Sequence, residues 1–289
     1  MGRIAFQPLI DPIVRNLDND IRILGKDQTF EAIPATRVGR IIREEEMDVE
    51  GDEEHLKDEA YFQYRGVSPE YYDNYRLPPY FQEALPKERE ARILDIGCGF
   101  GQMLCALKKQ GYRNIEGVDI SREACDHCAR LGLTVAPIAD LESFCKGKPK
   151  PEYDLIIMSH VLEHIEKSRI IPTVRSIREG LLVPGGSLLV MVPNAQSNTG
   201  CYWAYEDFTH STLFTAGSLY FVLKASGFGD IRFLDPEGLE GGRLLFRLPK
   251  KVFLRYYRAR IHFWNLVTNS AFHTPSPQIF TFELKALAR

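Results

Sequence analysis

The chain has 289 residues, of which 44% are hydrophobic and 26% are charged, values typical of a folded protein with a sizeable core. Its formal net charge of −3 argues against a general nucleic-acid-binding protein. No apolar run reaches the roughly 18 residues that a membrane-spanning helix needs.

The first 90 residues divide into two segments of unlike composition. Residues 1–60 form an N-terminal extension that lacks a signal-peptide pattern and ends in an acidic linker, with ten carboxylates between residues 43 and 59. Residues 61–90 include "YFQYRGVSPEYYDNYRLPPYF", which we interpret as an aromatic helical lid. Its aromatic side chains either belong to the core or bind a sugar or adenine ring.

From residue 91 onwards, predicted strands alternate with predicted helices. In chain order these are strand "ARILDIG", helix "GQMLCALKKQG", strand "NIEGVDIS", helix "SREACDHCARLG", strands "TVAPIAD" and "YDLIIMS", a helix over 165–180, strand "GSLLVMVPN", helix "AGSLYFVLKASGF", and strands "IRFLD" and "QIFTFELKALA". Ser121 is the predicted N-cap of the second helix. Such alternation predicts an α/β domain over 91–289, with a parallel sheet covered by helices on both faces.

The turn "LDIGCGFGQ" joins the first predicted strand to the first helix. Its glycines, Gly97, Gly99 and Gly101, allow a ligand to approach the backbone without meeting a Cβ. Asp119 ends the next strand, where a carboxylate can accept hydrogen bonds from the ribose hydroxyls of an adenosine. The spacing is G-x-G-x-G followed by Gln102 rather than the dinucleotide pattern G-x-G-x-x-G, and at this point both a dinucleotide and S-adenosylmethionine remain candidate ligands.

Four segments in this order resemble the successive motifs of class I S-adenosylmethionine-dependent methyltransferases: "LDIGCGFGQ", "EGVDIS", "YDLIIMSHVLEHI" and "LLVPGGSLLVMVPN". The resemblance implies a Rossmann-like seven-stranded sheet whose last strand is antiparallel, with N-terminal and C-terminal additions. It also implies S-adenosylmethionine as the cofactor and methyl transfer as the reaction. The alternatives from other classes are a nicotinamide-dependent oxidoreductase and a cofactor-binding protein without turnover.

The same resemblance implies which residues contact the cofactor. Asp95 would face the methionine amino group, Asp119 the ribose, and Ile120 the adenine ring. Asp140 would reach the adenine amino group, with a helix N-cap as its alternative role. Arg65, in the predicted lid, is a candidate for the cofactor carboxylate, as is Arg76. The full predicted set is Asp95, Gly97, Cys98, Gly99, Gly101, Gln102, Asp119, Ile120, Asp140, Leu141, Ser159 and Arg65.

The predicted catalytic residues are histidines, because a hydroxyl acceptor benefits from a general base and histidine has a suitable pKa. His210, with Asp207 to orient it, is the predicted base, since "EDFTHSTLFT" resembles the D-x-x-H-x-x-x-F-T segment of bacterial methyltransferases associated with polysaccharide biosynthesis. His160 is the second candidate. His160, Glu163 and His164 have a spacing that can chelate a divalent ion. Some quinone-directed relatives have a carboxylate where His160 stands, and we therefore predict no metal.

Residues 236–277 form a basic insertion before the last predicted strand. Residues 241–281 contain seven lysines and arginines and no acidic residue. As a helix, this segment places Val252, Tyr256, Ala259, Phe263 and Leu266 on one face, beside a basic strip of Lys251, Arg255, Arg258 and His262. The open interpretations are packing on the domain, contact with a second subunit in a homodimer, pairing with the acidic linker, and contact with an anionic membrane or with a phosphorylated or lipid-linked glycan.

Together these features predict an S-adenosylmethionine-dependent O-methyltransferase that acts on a sugar hydroxyl in surface-polysaccharide or glycan biosynthesis. A small natural product or a quinone is the alternative acceptor, and nucleic acid is not an expected partner. Six cysteines without regular spacing favour a reduced, cytoplasmic setting, or the cytoplasmic face of the inner membrane. Cys125 and Cys128 are predicted to be core thiols rather than half of a zinc site.

Overall fold

The computed structural model describes residues 75–240, 244–274 and 276–289, all of which fall in the compact unit Lys57–Arg289. The predicted N-terminal extension and residues 61–74 of the predicted aromatic lid, which include Arg65, lie outside these ranges. Of the segment 61–90, the described part contains one short helix, α1, at Phe81–Ala84.

A seven-stranded sheet forms the centre of the described chain. Its strands are β1 Arg92–Ile96, β2 Asn114–Asp119, β3 Val135–Pro137, β4 Tyr153–Ser159, β5 Leu182–Pro193, β6 Ile231–Phe233 and β7 Glu283–Ala288. The order is β3-β2-β1-β4-β5-β7-β6. Strands β1 to β5 are parallel, and β7 runs antiparallel to both β5 and β6. The predicted Rossmann-like sheet with an antiparallel last strand is confirmed.

Helices flank the sheet in the expected alternation. They are α2 Gln102–Lys109, α3 Arg122–Arg130, α4 Leu141–Gly147, α5 Ile170–Gly180, α6 Tyr202–Glu206, α7 Ala216–Ala225 and α8 Leu244–Val267. Ser121 caps α3 as predicted, since its side chain accepts a hydrogen bond from the Ala124 amide. The single helix predicted over 165–180 is wrong at its start, because a 3-10 turn at Leu162–His164 precedes α5. A helix from residue 165 would place Pro172 in its interior, where proline removes a backbone hydrogen bond.

The core lies on both faces of the sheet. On one face Leu94 and Ile156 pack with residues of α5 and α7. On the other face Ile93 and Leu155 pack with residues of α2 and with Phe81. The apolar run in β4 is therefore explained by burial on two sides. Cys125 and Cys128 are buried free thiols on α3, as predicted.

The predicted basic insertion contains the long helix α8. Tyr257 and Phe280 bring their ring centroids to 5.5 Å, which places this side of α8 beside the segment that leads into β7. Val252, Tyr256 and Phe263, expected on one face, are all exposed. The predicted basic strip does not form a single exposed face: Arg258 is half-buried and lies 3.4 Å from Glu237.

Candidate functional site

The glycine turn between β1 and α2 is shaped by three residues with positive φ. A Cβ on Gly97 would overlap the Val161 side chain, and one on Gly101 would lie 2.7 Å from Leu133 Cδ1. Gly99, with φ +50°, faces open space, because a Cβ there would meet only Gln102 Oε1 at 4.0 Å. Two of the glycines thus permit internal packing, whereas Gly99 leaves room above the turn for a ligand.

The Asp119 carboxylate connects the end of β2 to this turn by hydrogen bonds. Its Oδ2 accepts a hydrogen bond from the Gly99 amide at 2.8 Å, and its Oδ1 accepts one from the Ser121 amide at 2.9 Å. Each carboxylate oxygen has a second lone pair, so ribose hydroxyls can still donate to it. The neighbouring Ile120 is an apolar side chain that is 68% exposed, which suits contact with an adenine face.

Asp95 lies within β1 and is 2% exposed. Burial, with smaller contributions from Asp119 and Cys128, raises the pKa of Asp95 well above its ordinary value. A buried carboxylate is favoured in its charged form only beside a cation or strong donors. The ammonium of a bound methionine moiety would be such a partner.

The remaining predicted cofactor residues have mixed environments. Asp140 is the N-cap of α4, where its Oδ1 accepts from the Ser143 amide at 2.9 Å and its Oδ2 accepts from the Ser143 hydroxyl at 2.7 Å; these hydrogen bonds lower its pKa. Its alternative structural role is therefore present, and its contact with adenine stays a prediction. Leu141 is half-buried against the core, and the side chain of Cys98 is buried. Gln102 Oε1 is buried and has no hydrogen-bond partner among the described residues.

His160 follows Ser159 at the end of β4 and has a left-handed backbone, with φ 56°. Its Nδ1 lies 3.1 Å from Glu163 Oε1, and its Nε2 lies 2.8 Å from Glu283 Oε1. Desolvation opposes the charged ring, but the hydrogen bonds and charges of Glu163 and Glu283 outweigh it and raise the pKa of His160 to about 10. Near neutral pH both ring nitrogens donate to carboxylates, and His160 has no lone pair with which to take a proton.

His210 lies in the loop after α6, with its side chain 5% exposed. Its Nδ1 donates to the Trp203 carbonyl at 2.6 Å, which leaves the lone pair of the neutral ring on Nε2. That atom lies 3.6 Å from Asp207 Oδ2 and 4.0 Å from Glu163 Oε1. Two carboxylates therefore lie close to Nε2. The predicted pairing of His210 with Asp207 is present as a contact of 3.6 Å, longer than a hydrogen bond.

The loop that contains His210 is held by the 3-10 turn after β4. The amides of Ser211 and Thr212 donate to the Glu163 carbonyl at 2.8 and 3.1 Å. As a result, candidate ligand atoms of Glu163, His164 and His210 lie within 4.8 Å of one another, a set that could hold a metal ion. This set differs from the one weighed in the sequence, since His210 replaces His160. Spacing within "SHVLEHI" could not reveal a third residue that is 46 positions further along.

A cavity of about 1140 Å³ lies beside the start of β7 and the inner side of α8. Its aromatic lining includes Phe253, Tyr257, Phe280 and Phe282, and its carboxylates include Glu240 and Glu283. Glu283 also accepts from His160, so this cavity adjoins the end of β4. Glu240 Oε2 is buried without a hydrogen-bond partner in the described part of the chain. Sequence reasoning missed this cavity because its lining comes from segments far apart in the chain.

Comparison with protein families identifies one domain. A family model described as "Methyltransferase domain" matches residues 70–232, which include the glycine turn, Asp119, His160 and His210.

Two curated relatives share parts of this region. Protein arginine N-methyltransferase 2 of Dictyostelium discoideum is 30% identical over 152 residues, 48% of this chain and 29% of that protein. Ubiquinone biosynthesis O-methyltransferase of Neisseria meningitidis serogroup C (strain 053442) is 26% identical over 83 residues, 27% of this chain and 34% of that protein. The chain thus covers about a third or less of the length of each relative.

Among solved structures, a SAM-dependent methyltransferase from Archaeoglobus fulgidus superposes with a TM-score of 0.55 at 21% identity. The superposition covers 78% of this chain and 96% of that one. At this level of identity the likeness concerns the fold.

Proposed function

Since this chain belongs to the methyltransferase-domain family and is an S-adenosylmethionine-dependent methyltransferase, we propose that it methylates a sugar hydroxyl in surface-polysaccharide or glycan biosynthesis. The observation that carries the choice of acceptor is the cavity beside β7. Phe280 and Tyr257 offer aromatic faces, and Glu240 and Glu283 offer carboxylates. Aromatic faces with polar groups beside them suit a sugar ring and its hydroxyls.

The glycine turn fits S-adenosylmethionine. The open space above Gly99 admits the cofactor, the unpartnered Gln102 Oε1 offers it an acceptor, and Asp95 offers a buried anion for its ammonium group. Asp119 is placed to bind the ribose, with Ile120 against the adenine. When bound, the cofactor supplies an activated methyl group on its sulfonium.

The protein then has to orient the acceptor hydroxyl and remove its proton. We assign the proton to Nε2 of His210, because His160 is held protonated by Glu163 and Glu283. Carboxylate oxygens of Asp207 and Glu163 lie 3.6 and 4.0 Å from this nitrogen. The His210 side chain is almost fully buried, and its Nδ1 is held by a carbonyl of the short helix α6. His160 and Glu283 have a positioning role: their hydrogen bond connects the end of β4 to the wall of the cavity.

A quinone-related phenol is the second candidate acceptor. The observation in its favour is the partial match to ubiquinone biosynthesis O-methyltransferase, at 26% identity over 83 residues. A nicotinamide-dependent oxidoreductase is no longer a candidate, because the matched family is one of methyltransferases.

The test is a methyl-transfer assay on the full chain with S-adenosylmethionine and three acceptor groups: nucleotide sugars and extracted glycans, catechol precursors of quinones, and arginine-containing peptides. Release of S-adenosylhomocysteine and the mass of the methylated product are both recorded. We expect methylation of a sugar hydroxyl, and a loss of roughly 10²–10⁴ in turnover for His210→Ala with cofactor affinity retained.

Two results would contradict these assignments. Methylation of the catechols but not of the sugars would replace the sugar acceptor by a quinone precursor. If EDTA abolishes turnover and magnesium restores it, Glu163, His164 and His210 form a metal site and His210 is a ligand rather than the base.

A further inference from the structure

The outward side of α8 carries an apolar stripe that runs the length of the helix. Leu245, Val252, Tyr256, Phe263 and Leu266 fall within about 80° of one another around the helix axis at 100° per residue. Their exposed fractions are 83%, 55%, 68%, 57% and 79%. The inner side, by contrast, has the half-buried Leu254, Tyr257 and Ile261. Single exposed apolar residues are ordinary, but a continuous stripe of this size indicates a binding surface.

Basic residues border this stripe. Arg255 lies on one side of it and Arg260 on the other, and both are exposed. Residues 241–281 contain no acidic residue to neutralise them. Long basic side chains can lie along an apolar surface while their charges reach outward to water or phosphate.

The charge pattern decides between the possible partners of this surface. A second copy of α8 laid against the first would bring arginines against arginines without a carboxylate from either helix, which is unfavourable for helix pairing. The acidic stretch of this chain, residues 43–59, complements the charge, but it has only Met47, Val49 and Leu56 as larger aliphatic side chains. An anionic lipid surface satisfies both the apolar stripe and the basic borders.

The composition of α8 also determines how it meets a bilayer. Its 24 residues include six lysines and arginines, and no helix of the described ranges is long and apolar enough to cross a membrane. At a rise of about 1.5 Å per residue the helix is roughly 36 Å long, and its six basic residues favour an orientation parallel to the membrane plane.

We propose that α8 docks this methyltransferase on an anionic phospholipid surface. The apolar stripe inserts between the acyl chains, and Arg255 and Arg260 contact lipid phosphates. This inference concerns where the protein binds rather than which hydroxyl it methylates, and it stands whether the acceptor is a sugar or a phenol.

The test is co-sedimentation of the full chain with vesicles of phosphatidylcholine alone or mixed with phosphatidylglycerol. We expect binding to the mixed vesicles only, weakened by added salt. Tyr256→Ser with Phe263→Ser should lower the affinity for vesicles at least tenfold. Arg255→Glu should lower it about fivefold or more.

Matched controls separate docking from folding. Phe221→Ser removes an exposed aromatic from α7, and Arg130→Glu reverses an exposed charge on α3; neither should change vesicle binding. All variants should keep the wild-type affinity for S-adenosylhomocysteine, which reports an intact cofactor site.

Three results would overturn the proposal. The first is failure of the wild-type chain to co-sediment with phosphatidylglycerol vesicles at low salt. The Tyr256/Phe263 variant could bind them as tightly as the wild type. Finally, sedimentation could give a wild-type dimer that becomes a monomer in that variant without any vesicle binding, which would assign the stripe to a second copy of this chain.

Discussion

Asp119 has two functions that a single substitution removes together. Its carboxylate accepts from the amides of Gly99 and Ser121, and the proposed ribose contact uses the same oxygens. We expect Asp119→Ala to weaken S-adenosylhomocysteine binding by about 1–3 kcal/mol, because both the ribose and the turn lose their acceptor. Isothermal titration measures this change. Asp126→Ala, at an exposed position of α3, is the control, and unchanged affinity in folded Asp119→Ala would remove Asp119 from the site.

We expect the Asp95 carboxylate to destabilise the folded chain near neutral pH and to strengthen cofactor binding. Because its folded pKa is raised, the folded chain holds this proton at pH values where the unfolded chain has released it, and stability falls as pH rises above the ordinary aspartate pKa. We expect Asp95→Asn to raise the melting temperature at pH 7 and to weaken S-adenosylhomocysteine binding by about 1.5–3 kcal/mol, since the ammonium loses a charged acceptor. Melting curves and titration calorimetry give the two values. A variant that is less stable than the wild type at pH 7 would contradict the proposed cost of burying this carboxylate.

At the scale of elements, substitution of Asp140 tests whether the N-cap residue of α4 also binds the cofactor. Asp140→Ala removes the acceptor of the Ser143 amide at the start of α4 and should lower the stability of the fold. If Asp140 also binds adenine, cofactor affinity falls as well. Denaturant unfolding and titration separate the two effects. Asp140→Asn keeps a capping acceptor and serves as the matched variant; loss of stability with affinity unchanged would limit Asp140 to its capping role.

The sequence predicts elements well where the residue pattern is long and periodic. Strand β4 was predicted from an apolar run that is buried on both faces, and α3 from its capping serine. The helix α6 was not predicted, because its five residues, Tyr202–Glu206, are fewer than two helical turns and give no period. Strand β5 begins at Leu182, earlier than the predicted "GSLLVMVPN", because pairing of Leu182 with Tyr153 extends the ladder before the glycines.

The site was predictable only where the sheet topology brings motifs together. Parallel β1, β2 and β4 end on one edge, which places the glycine turn, Asp119 and His160 there. Glu283 could not be foreseen, because it reaches His160 only through the antiparallel register that sets Glu283 opposite Pro193. The raised pKa of His160, and with it the choice of His210 as the proposed base, follows from that contact.

At the scale of the whole molecule, the ion pair between His160 and Glu283 joins the middle of the sheet to its last strand in the chain. Because the folded pKa of His160 is raised to about 10, its contribution to stability is complete below the ordinary histidine pKa of about 6.5 and is lost as pH rises towards 10. Between pH 6.5 and 10 we expect the melting temperature to fall further in the wild type than in His160→Gln.

Other groups also titrate in that range, and a matched variant accounts for them. His127→Gln changes a histidine on α3 whose ring packs against Phe100, and the stability of this variant should depend on pH in the same way as that of the wild type. Equal pH dependence of the wild type and His160→Gln would show that the ion pair does not stabilise the fold.

The clamp that Asp119 makes on the glycine turn has a consequence for the thermodynamics of binding. The hydrogen bonds from the Gly99 and Ser121 amides to Asp119 hold the turn without any ligand. The conformational entropy of the turn is therefore lost when the chain folds and not when the cofactor binds. Cofactor binding should then resemble the filling of a preformed groove. Titrations at several temperatures should give a heat-capacity change that matches the apolar area of the cofactor alone, whereas a much larger negative value would reveal folding coupled to binding.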